Sequence, residues 1–99
     1  VGPSSFRVGA STSLMWLSRE LSDKGFSGLE FAGGIPGSFG GAVRMNAGAH
    51  GGEMAEILRS VTVVLPGGTV EHLKADSLLF SYRNAELPDG AVVVGGVVE

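Results

Sequence analysis

The beginning of the chain switches from a strand-like to a helix-like hydrophobic pattern. Between residues 6 and 10, apolar side chains alternate with an arginine and a glycine, which predicts a short strand with one buried face. Further along, Leu14, Leu17 and Leu21 follow the i, i+3, i+7 spacing of a single helix face. The pattern therefore predicts a helix over residues 12–24.

The ends and the exposed face of this helix carry their own signals. A hydroxyl side chain among residues 11–13 can cap the N-terminus, and Gly25 provides the C-terminal stop. Glu20 and Lys24 stand four positions apart, in the order that favours an ion pair on an exposed helix face.

The second half of the chain has the pattern of a β-hairpin followed by a separate strand. Apolar residues alternate over residues 61–65, Pro66-Gly67-Gly68 turns the chain, and residues 69–73 return. The long apolar run at residues 91–98 predicts a further strand that is buried on both faces.

Shorter segments connect these elements. We expect one or two helical turns at residues 53–58, a short helix or turn at residues 75–80 with Asp76 as its cap, and a loop at residues 81–87. The predicted order is strand, helix, glycine-rich connection, hairpin, short helix and strand. No repeat, linker or low-complexity stretch divides this order, which indicates a single domain.

Composition narrows the class of protein. With 99 residues, 43% hydrophobic and 17% charged, the chain has room for one domain, which we expect to be globular and soluble. The net charge of −3 and the scattered basic residues argue against a nucleic-acid partner. The chain has no cysteine, and His50 and His72 are not spaced as a ligand pair, so we expect no disulfide and no metal. No apolar run has the length of a membrane span, and the absence of cysteine fits the cytoplasm.

The two ends of the sequence suggest a segment of a larger protein. The chain starts without methionine, close to its first predicted strand, and it stops inside the last apolar run. We therefore expect residues 1–99 to have been excised from a longer chain.

A glycine-rich stretch at residues 33–52 is the most unusual part of the chain, because it holds eight of the 17 glycines. It contains neither the P-loop sequence nor the dinucleotide-binding fingerprint. Apolar residues interleave its glycines and serine is scarce, which argues against a flexible linker. Residues 38–45 can form a short helix whose N-terminal amides face outward and suit a phosphate. By composition, a packing loop and a loop that binds a phosphate or a ring remain alternatives.

Three motifs occur in a fixed order: Gly-Ile-Pro-Gly and Met-Asn-Ala-Gly within the glycine-rich stretch, and Tyr-Arg within FSYRNAEL further on. In this combination the chain closely resembles the UDP-N-acetylenolpyruvoylglucosamine reductase family (MurB), and the resemblance extends over nearly its whole length. It implies an α+β fold in which helices flank an antiparallel or mixed sheet. This would be the second subdomain of a vanillyl-alcohol-oxidase-like (PCMH-type) FAD-binding domain, with the first subdomain and the C-terminal substrate domain outside residues 1–99.

The resemblance also implies where the cofactor lies. The glycine-rich stretch would lie against the pyrophosphate and the isoalloxazine ring of FAD, where a Cβ would hold the backbone away. Matched to the family motifs, the expected flavin contacts are Ile35, Gly37, Gly40, Gly41, Asn46, Ala47 and Gly48, with Val93 as a looser match.

The family reaction has two halves. NADPH reduces FAD, and the flavin then transfers hydride to UDP-N-acetylglucosamine enolpyruvate, which gives UDP-N-acetylmuramate for peptidoglycan and thus for bacterial cell-wall growth, shape and division. The resemblance makes Arg83 the catalytic residue, because its guanidinium can meet the charge that develops on the substrate carboxylate. Tyr82 would help to place the substrate. The proton comes in the family from a Ser or Cys assisted by a Glu in the C-terminal domain, so we expect the isolated chain to be inactive.

Some positions depart from the family or stay open. The family often has Tyr at the position of His50 and Ser at the position of Ala85, which affects local hydrogen bonds. Arg44 could approach phosphate or substrate, or simply occupy an exposed helix position. We expect Trp16 to pack in the core or between domains, and His72 to be solvated.

We assign no catalytic carboxylate, and expect Glu30 to cap buried backbone amides next to the glycine-rich stretch. Two other functions remain open. A related flavin oxidase would keep the flavin domain without requiring Tyr82 and Arg83, and a non-enzymatic glycine-rich module would bind no flavin.

Overall fold

The computed structural model describes residues 5–25, 28–49, 52–81 and 84–99. Its α-helices are α1 (Leu14–Asp23) and α2 (Phe39–Met45). Its strands are β1 (Phe6–Gly9), β2 (Gly48–Ala49), β3 (Gly52–Glu53), β4 (Leu58–Val64), β5 (Val70–Lys74), β6 (Leu79–Ser81), β7 (Asn84–Glu86) and β8 (Val92–Val98). Short 3₁₀ turns cover Glu30–Gly34, Met54–Glu56 and Ala75–Ser77.

A four-stranded sheet in the order β1-β8-β4-β5 forms the centre of the fold, and every neighbouring pair in it is antiparallel. Two short strand pairs, β2-β3 and β6-β7, are separate from this sheet. The α+β class is confirmed, and the sheet is antiparallel in the residues described.

One hydrophobic core unites the helices with one face of the sheet. Leu14, Phe39 and Val43 from the helices and Val61 and Val63 from β4 have no accessible surface. Because β8 lies between β1 and β4, its backbone is closely approached from both sides. A Cβ at Gly96 would lie 2.7 Å from the Ser60 carbonyl oxygen and 3.0 Å from the Phe39 ring.

The predicted first helix is confirmed with its end signals. Ser13 is the N-cap, and its hydroxyl accepts a hydrogen bond from the Trp16 amide at 3.2 Å. Gly25 follows the helix with a φ of +84°, a conformation that glycine adopts without steric cost. The Glu20 and Lys24 side chains form an ion pair of 3.7 Å.

The predicted hairpin is also confirmed. Strands β4 and β5 pair from Val64 with Val70 to Ser60 with Lys74. Gly67 and Gly68 in the turn have φ values of +97° and +94°, so this turn requires glycine or a residue that tolerates the left-handed region.

The last strand is buried on one face only, and the expectation that both faces are covered was wrong. Val93 and Val98 are buried, whereas Val92 is 60% and Val94 43% exposed. The apolar run resembles a doubly covered strand, but within the described residues its Val92 and Val94 side remains accessible.

The segment between the hairpin and β8 differs from its prediction. A 3₁₀ turn covers only Ala75–Ser77, and Asp76 lies inside this turn, whose N-cap residue is Lys74. Residues that were expected to continue the helix and to form a loop instead pair as β6 and β7. Local sequence does not reveal this pairing, because each strand is only three residues long.

Two further expectations hold in part. Of residues 53–58, only Met54–Glu56 form a helical turn, and Leu58 already belongs to β4. Trp16 is 53% exposed and therefore not part of the core of this chain, which leaves packing between domains as its expected role.

Neither α-helix within the described ranges is long and apolar enough to cross a membrane.

Candidate functional site

An apolar cleft of about 390 Å³ opens beside α2. The loop before the helix, one face of the helix and the residues after it supply the lining. The lining residues are Ile35, Pro36, Gly37, Ser38, Gly41, Ala42, Met45, Ala47 and Gly48. All of them come from the glycine-rich stretch, so a single continuous segment builds this cleft.

The cleft brings together five of the eight residues that the sequence predicts as flavin contacts. These are Ile35, Gly37, Gly41, Ala47 and Gly48. Gly40, Asn46 and Val93 are not part of the lining.

Gly40 faces the end of β1 instead of the cleft. Its amide donates a hydrogen bond to the Ala10 carbonyl oxygen at 2.9 Å. A Cβ at this position would lie 3.0 Å from the Cβ of Ala10 and 3.3 Å from that carbonyl oxygen. Close packing of α2 against the chain after β1 therefore accounts for glycine at position 40.

Asn46 is fully buried and shapes the chain at the end of α2. It is the C-cap residue, with a φ of 45° in the left-handed region, and its Oδ1 accepts a hydrogen bond from the Ala55 amide at 2.9 Å. The next residue, Ala47, donates from its amide to the Ala42 carbonyl and accepts from the Met54 amide, each at 2.9 Å. These bonds hold the rear wall of the cleft in place.

Val93 is buried in the core, where it pairs with Val63 in the sheet. Val93 thus packs within this chain, and its contact with flavin stays a prediction.

The first-turn amides of α2 bond within the chain, so the expectation that they face outward to receive a phosphate was wrong. The Phe39 amide donates to the Thr12 carbonyl at 2.8 Å, and the Gly41 amide donates to the Ser38 hydroxyl at 3.2 Å. Together with the bond from Gly40 to Ala10, these contacts dock the helix start on the segment between β1 and α1. The site that remains is an apolar surface, which suits a flat ring better than a phosphate.

Two glycines of the cleft are not explained by packing within the chain. A Cβ at Gly37 would meet no atom within 4 Å, although its φ of +119° itself favours glycine. A Cβ at Gly41 would have the Ser38 hydroxyl as its nearest neighbour, at an ordinary 3.4 Å. By contrast, a Cβ at Gly52 would lie 2.9 Å from the Phe31 ring. Bare backbone at positions 37 and 41 is therefore available to a bound molecule.

Sequence reasoning missed four residues of the lining: Pro36, Ser38, Ala42 and Met45. A signal was present, because Ser38, Gly41, Ala42 and Met45 follow the i, i+3, i+4, i+7 spacing of one helix face. If Gly41 contacts a ligand from a helix, then Ser38, Ala42 and Met45 on the same helix face are expected to line the site as well.

Several other predicted residues lie elsewhere. Tyr82, Arg83 and His50 are outside the described residues. Arg44 is exposed, and its guanidinium donates to the Ala91 carbonyl oxygen just before β8. Ala85, on β7, is buried.

The remaining polar residues of interest have structural contacts. The Glu30 carboxylate accepts a 2.7 Å hydrogen bond from the Gly28 amide, so it does cap backbone, but at an exposed position. Hydrogen bonds from the backbone amides of Glu30 and Gly28 lower the pKa of the Glu30 carboxyl. His72 is exposed, and its Nδ1 lies 2.9 Å from the Thr62 hydroxyl. Over the ranges described, no three His, Asp or Glu side chains are grouped to hold a metal ion.

Comparison with known proteins agrees with the motifs. UDP-N-acetylenolpyruvoylglucosamine reductase of Bacillus subtilis (strain 168) is 54% identical over 80 residues, which are 81% of this chain and 26% of that protein. The Sphingopyxis alaskensis reductase is 44% identical over 95 residues, which are 96% of this chain and 32% of that protein.

A solved structure shares the fold. The crystal structure of UDP-N-acetylenolpyruvylglucosamine reductase (MurB) from Thermus caldophilus superposes with a TM-score of 0.89 at 39% identity, over 100% of this chain and 37% of that one. The chain thus spans between 26% and 37% of the length of these relatives. Residues 4–74 match the family described as FAD binding domain, and the chain belongs to that family.

Proposed function

We propose that this chain forms one wall of the FAD site of a UDP-N-acetylenolpyruvoylglucosamine reductase. The complete protein would use NADPH to reduce UDP-N-acetylglucosamine enolpyruvate to UDP-N-acetylmuramate for peptidoglycan synthesis in the bacterial cytoplasm. The observation that carries the proposal is the apolar cleft, because it gathers Ile35, Gly37, Gly41, Ala47 and Gly48 from the expected flavin contacts.

The residues of the cleft fit the isoalloxazine ring of FAD. Ile35, Ala42 and Met45 offer apolar surface, and Gly37 and Gly41 offer bare backbone. Since the first-turn amides of α2 are bonded within the chain, we assign the ring, and not the pyrophosphate, to this cleft. The pyrophosphate would then depend on donors in the rest of the protein.

FAD, when bound, supplies hydride transfer between NADPH and the enolpyruvyl double bond. The chain's own part is to position the flavin ring and to exclude water from it. The wall formed by Ala47 and Gly48 is held by bonds to Ala42, Met54 and, through Asn46, Ala55, so it offers a preformed surface. An apolar wall also keeps water away from the reacting atoms.

Two residues outside the described ranges complete the proposal. We assign Arg83 to the substrate carboxylate. Hydride would add to the far carbon of the enolpyruvyl double bond, and the negative charge that then spreads onto the carboxylate would be stabilised by the guanidinium N–H donors. Tyr82 would position the same substrate. The proton that ends the reaction would come from a Ser or Cys and a Glu in the remaining domains, so residues 1–99 alone would not turn over.

The test is the visible absorption spectrum of the complete protein, followed as NADPH and then the UDP-enolpyruvyl sugar are added. We expect flavin bands that bleach with NADPH and return, without oxygen, when the sugar is added. Bands that return only with oxygen would favour the oxidase alternative. A protein that stays colourless after FAD is added would overturn the flavin site itself.

A further inference from the structure

The chain has three methionines, and their exposure differs sharply. Met54 is completely buried, Met15 is 38% exposed and Met45 is 57% exposed. Met45 lines the cleft beside α2, whereas Met15 lies on α1 and is not part of that lining. The most exposed of the three methionines is therefore also the one that a bound ring would cover.

We propose that Met45 is an oxidation site whose state controls flavin binding. This inference rests on the proposed function. In the reaction, a lone pair of the Met45 sulfur attacks one oxygen of a hydroperoxide; the S–O bond forms, the O–O bond breaks, and water or an alcohol leaves. The thioether is oxidised to a sulfoxide by two electrons, and the hydroperoxide is reduced.

The surroundings of Met45 make a sulfoxide unfavourable once a ligand covers it. Its neighbours in the lining include Ile35, Ala42 and Ala47, which are apolar. Two backbone donors of the lining are committed elsewhere, since the Gly41 amide bonds to the Ser38 hydroxyl and the Ala47 amide to the Ala42 carbonyl. A bound ring would remove water from the sulfoxide oxygen, and neither of these two amides could replace the lost hydrogen bonds.

Conversely, bound flavin should slow the oxidation of Met45, and this effect can be measured. A ring that packs on the thioether blocks access of peroxide to the sulfur, so flavin should protect Met45. Met15 serves as an exposed control outside the cleft, and Met54 as a buried control that reports unfolding.

The experiment treats the complete protein with hydrogen peroxide, with and without FAD, and measures oxygen addition at each methionine by peptide mass spectrometry. Without FAD we expect oxidation to be fastest at Met45, slower at Met15 and absent at Met54. With FAD, Met45 should be protected at least about tenfold, while Met15 keeps its rate. The oxidised protein should bind FAD on the order of tenfold more weakly, and methionine sulfoxide reductase should reverse this loss.

Variants separate Met45 from the other sites. Met45→Leu should make FAD affinity insensitive to peroxide, Met15→Leu should leave the peroxide effect intact, and Met45→Gln should imitate the oxidised state. The proposal is overturned if flavin binds but does not protect Met45, if Met54 oxidises as fast as Met45, or if Met45→Leu remains sensitive. A protein that binds no FAD before any oxidation would instead contradict the proposed function.

Discussion

Gly40 and Gly41 are neighbours in α2, yet a side chain at each position would meet different surroundings. A Cβ at Gly40 would press on Ala10 at 3.0 Å, whereas a Cβ at Gly41 would have only the Ser38 hydroxyl nearby, at 3.4 Å. Only Gly41 lines the cleft. Glycine richness therefore combines two demands, packing within the chain and access for a ligand, and only the structure separates them.

This difference predicts that Gly41→Ala and Gly40→Ala change the free energy of unfolding in opposite directions. Gly41→Ala should raise the free energy of unfolding by roughly 0.5 kcal/mol, because alanine is the better helix former and has room. It should also weaken FAD binding by about tenfold, since the methyl group holds the ring away from the backbone. Thermal unfolding and FAD titration of the complete protein measure both quantities.

The matched control is Gly40→Ala, which should lower the free energy of unfolding by about 1–3 kcal/mol through overpacking against Ala10. A Gly41→Ala protein that binds FAD as tightly as the wild type would contradict the placement of the ring.

At Arg83, substitution should separate binding from chemistry. We expect Arg83→Ala to retain flavin but to lose about a hundred- to a thousandfold in the rate of substrate reduction, because a preorganised donor to the developing charge is removed. Reduction of the flavin by NADPH, followed separately by stopped flow, should stay near the wild-type rate.

Arg59→Ala is the control for this experiment, since Arg59 is an exposed arginine of β4 whose guanidinium pairs with Glu99 at 2.7 Å. It should turn over normally. Normal turnover by Arg83→Ala as well would remove the catalytic assignment.

The candidate site was predictable in part, for a physical reason. Motif matching picks residues by type, so it found Gly37 and Gly41 together with Asn46. It cannot tell a side chain that lines a cleft from one buried behind it, because that depends on how α2 rotates against β1. Tyr82 and Arg83 stay predictions, since they lie outside the described residues.

At the scale of elements, the sequence predicted those whose signals are local. Helix α1 has its own cap and glycine stop, and the β4-β5 hairpin has its own turn. Strands β6 and β7 were missed because they form only by pairing with each other, for example Phe80 with Ala85. The exposed face of β8 was missed because burial of a strand depends on what else covers the sheet.

The end of α2 shows how one element depends on a single side chain. Asn46 combines a left-handed backbone with a buried bond to the Ala55 amide. Asn46→Ala should lower the free energy of unfolding by about 2–4 kcal/mol, because it strains the backbone and leaves the Ala55 donor without its partner. Asn46→Gly should lower the free energy of unfolding by about 1 kcal/mol less than Asn46→Ala does. Glycine adopts the left-handed conformation without strain, but it does not restore the bond to the Ala55 amide.

Denaturant unfolding of the two variants tests this account. Equal stabilities would show that the left-handed conformation contributes nothing, and a stable Asn46→Ala protein would mean that the Ala55 bond does not matter. Either variant should also lose FAD affinity, because Ala47 and Gly48 follow directly in the cleft wall.

At the scale of the whole molecule, both ends of the described chain meet at one carboxylate. Glu99 accepts a 2.7 Å hydrogen bond from the Ser5 hydroxyl and pairs with Arg59. The Ser5 bond, and next the Arg59 charge, lower the pKa of the Glu99 carboxyl below its usual value of 4.5. A lowered pKa means that the stabilisation is present above that usual value and is lost as the pH falls through the lower, folded-state value.

We therefore expect Glu99→Gln to lose less stability than the wild type on acidification below about pH 4.5. Above that pH, the stabilities of the two proteins should change with pH in the same way. Unfolding midpoints across this range measure the effect, which should be small because the pair is exposed and should shrink in high salt. Glu71→Gln, at an exposed position of β5, is the control and should follow the wild type. If the unfolding midpoints of Glu99→Gln match those of the wild type at every pH, the Glu99 carboxylate makes no pH-dependent contribution to stability.

The largest-scale prediction concerns what 99 residues can do alone. The cleft is open and is lined by a single segment, so it can cover only one side of a ring. We have proposed that the proton donor lies outside residues 1–99, and the relatives are about three to four times as long as this chain. We expect the isolated chain to show no sugar-dependent oxidation of NADPH and to bind FAD at least about a hundredfold more weakly than the complete protein, since an open cleft encloses a ligand incompletely. Far-UV circular dichroism is needed beside the assay, because only a folded chain without turnover supports this account. Turnover by the isolated chain would mean that it holds the proton donor itself, and the search for that group would then return to its own carboxylates and hydroxyls.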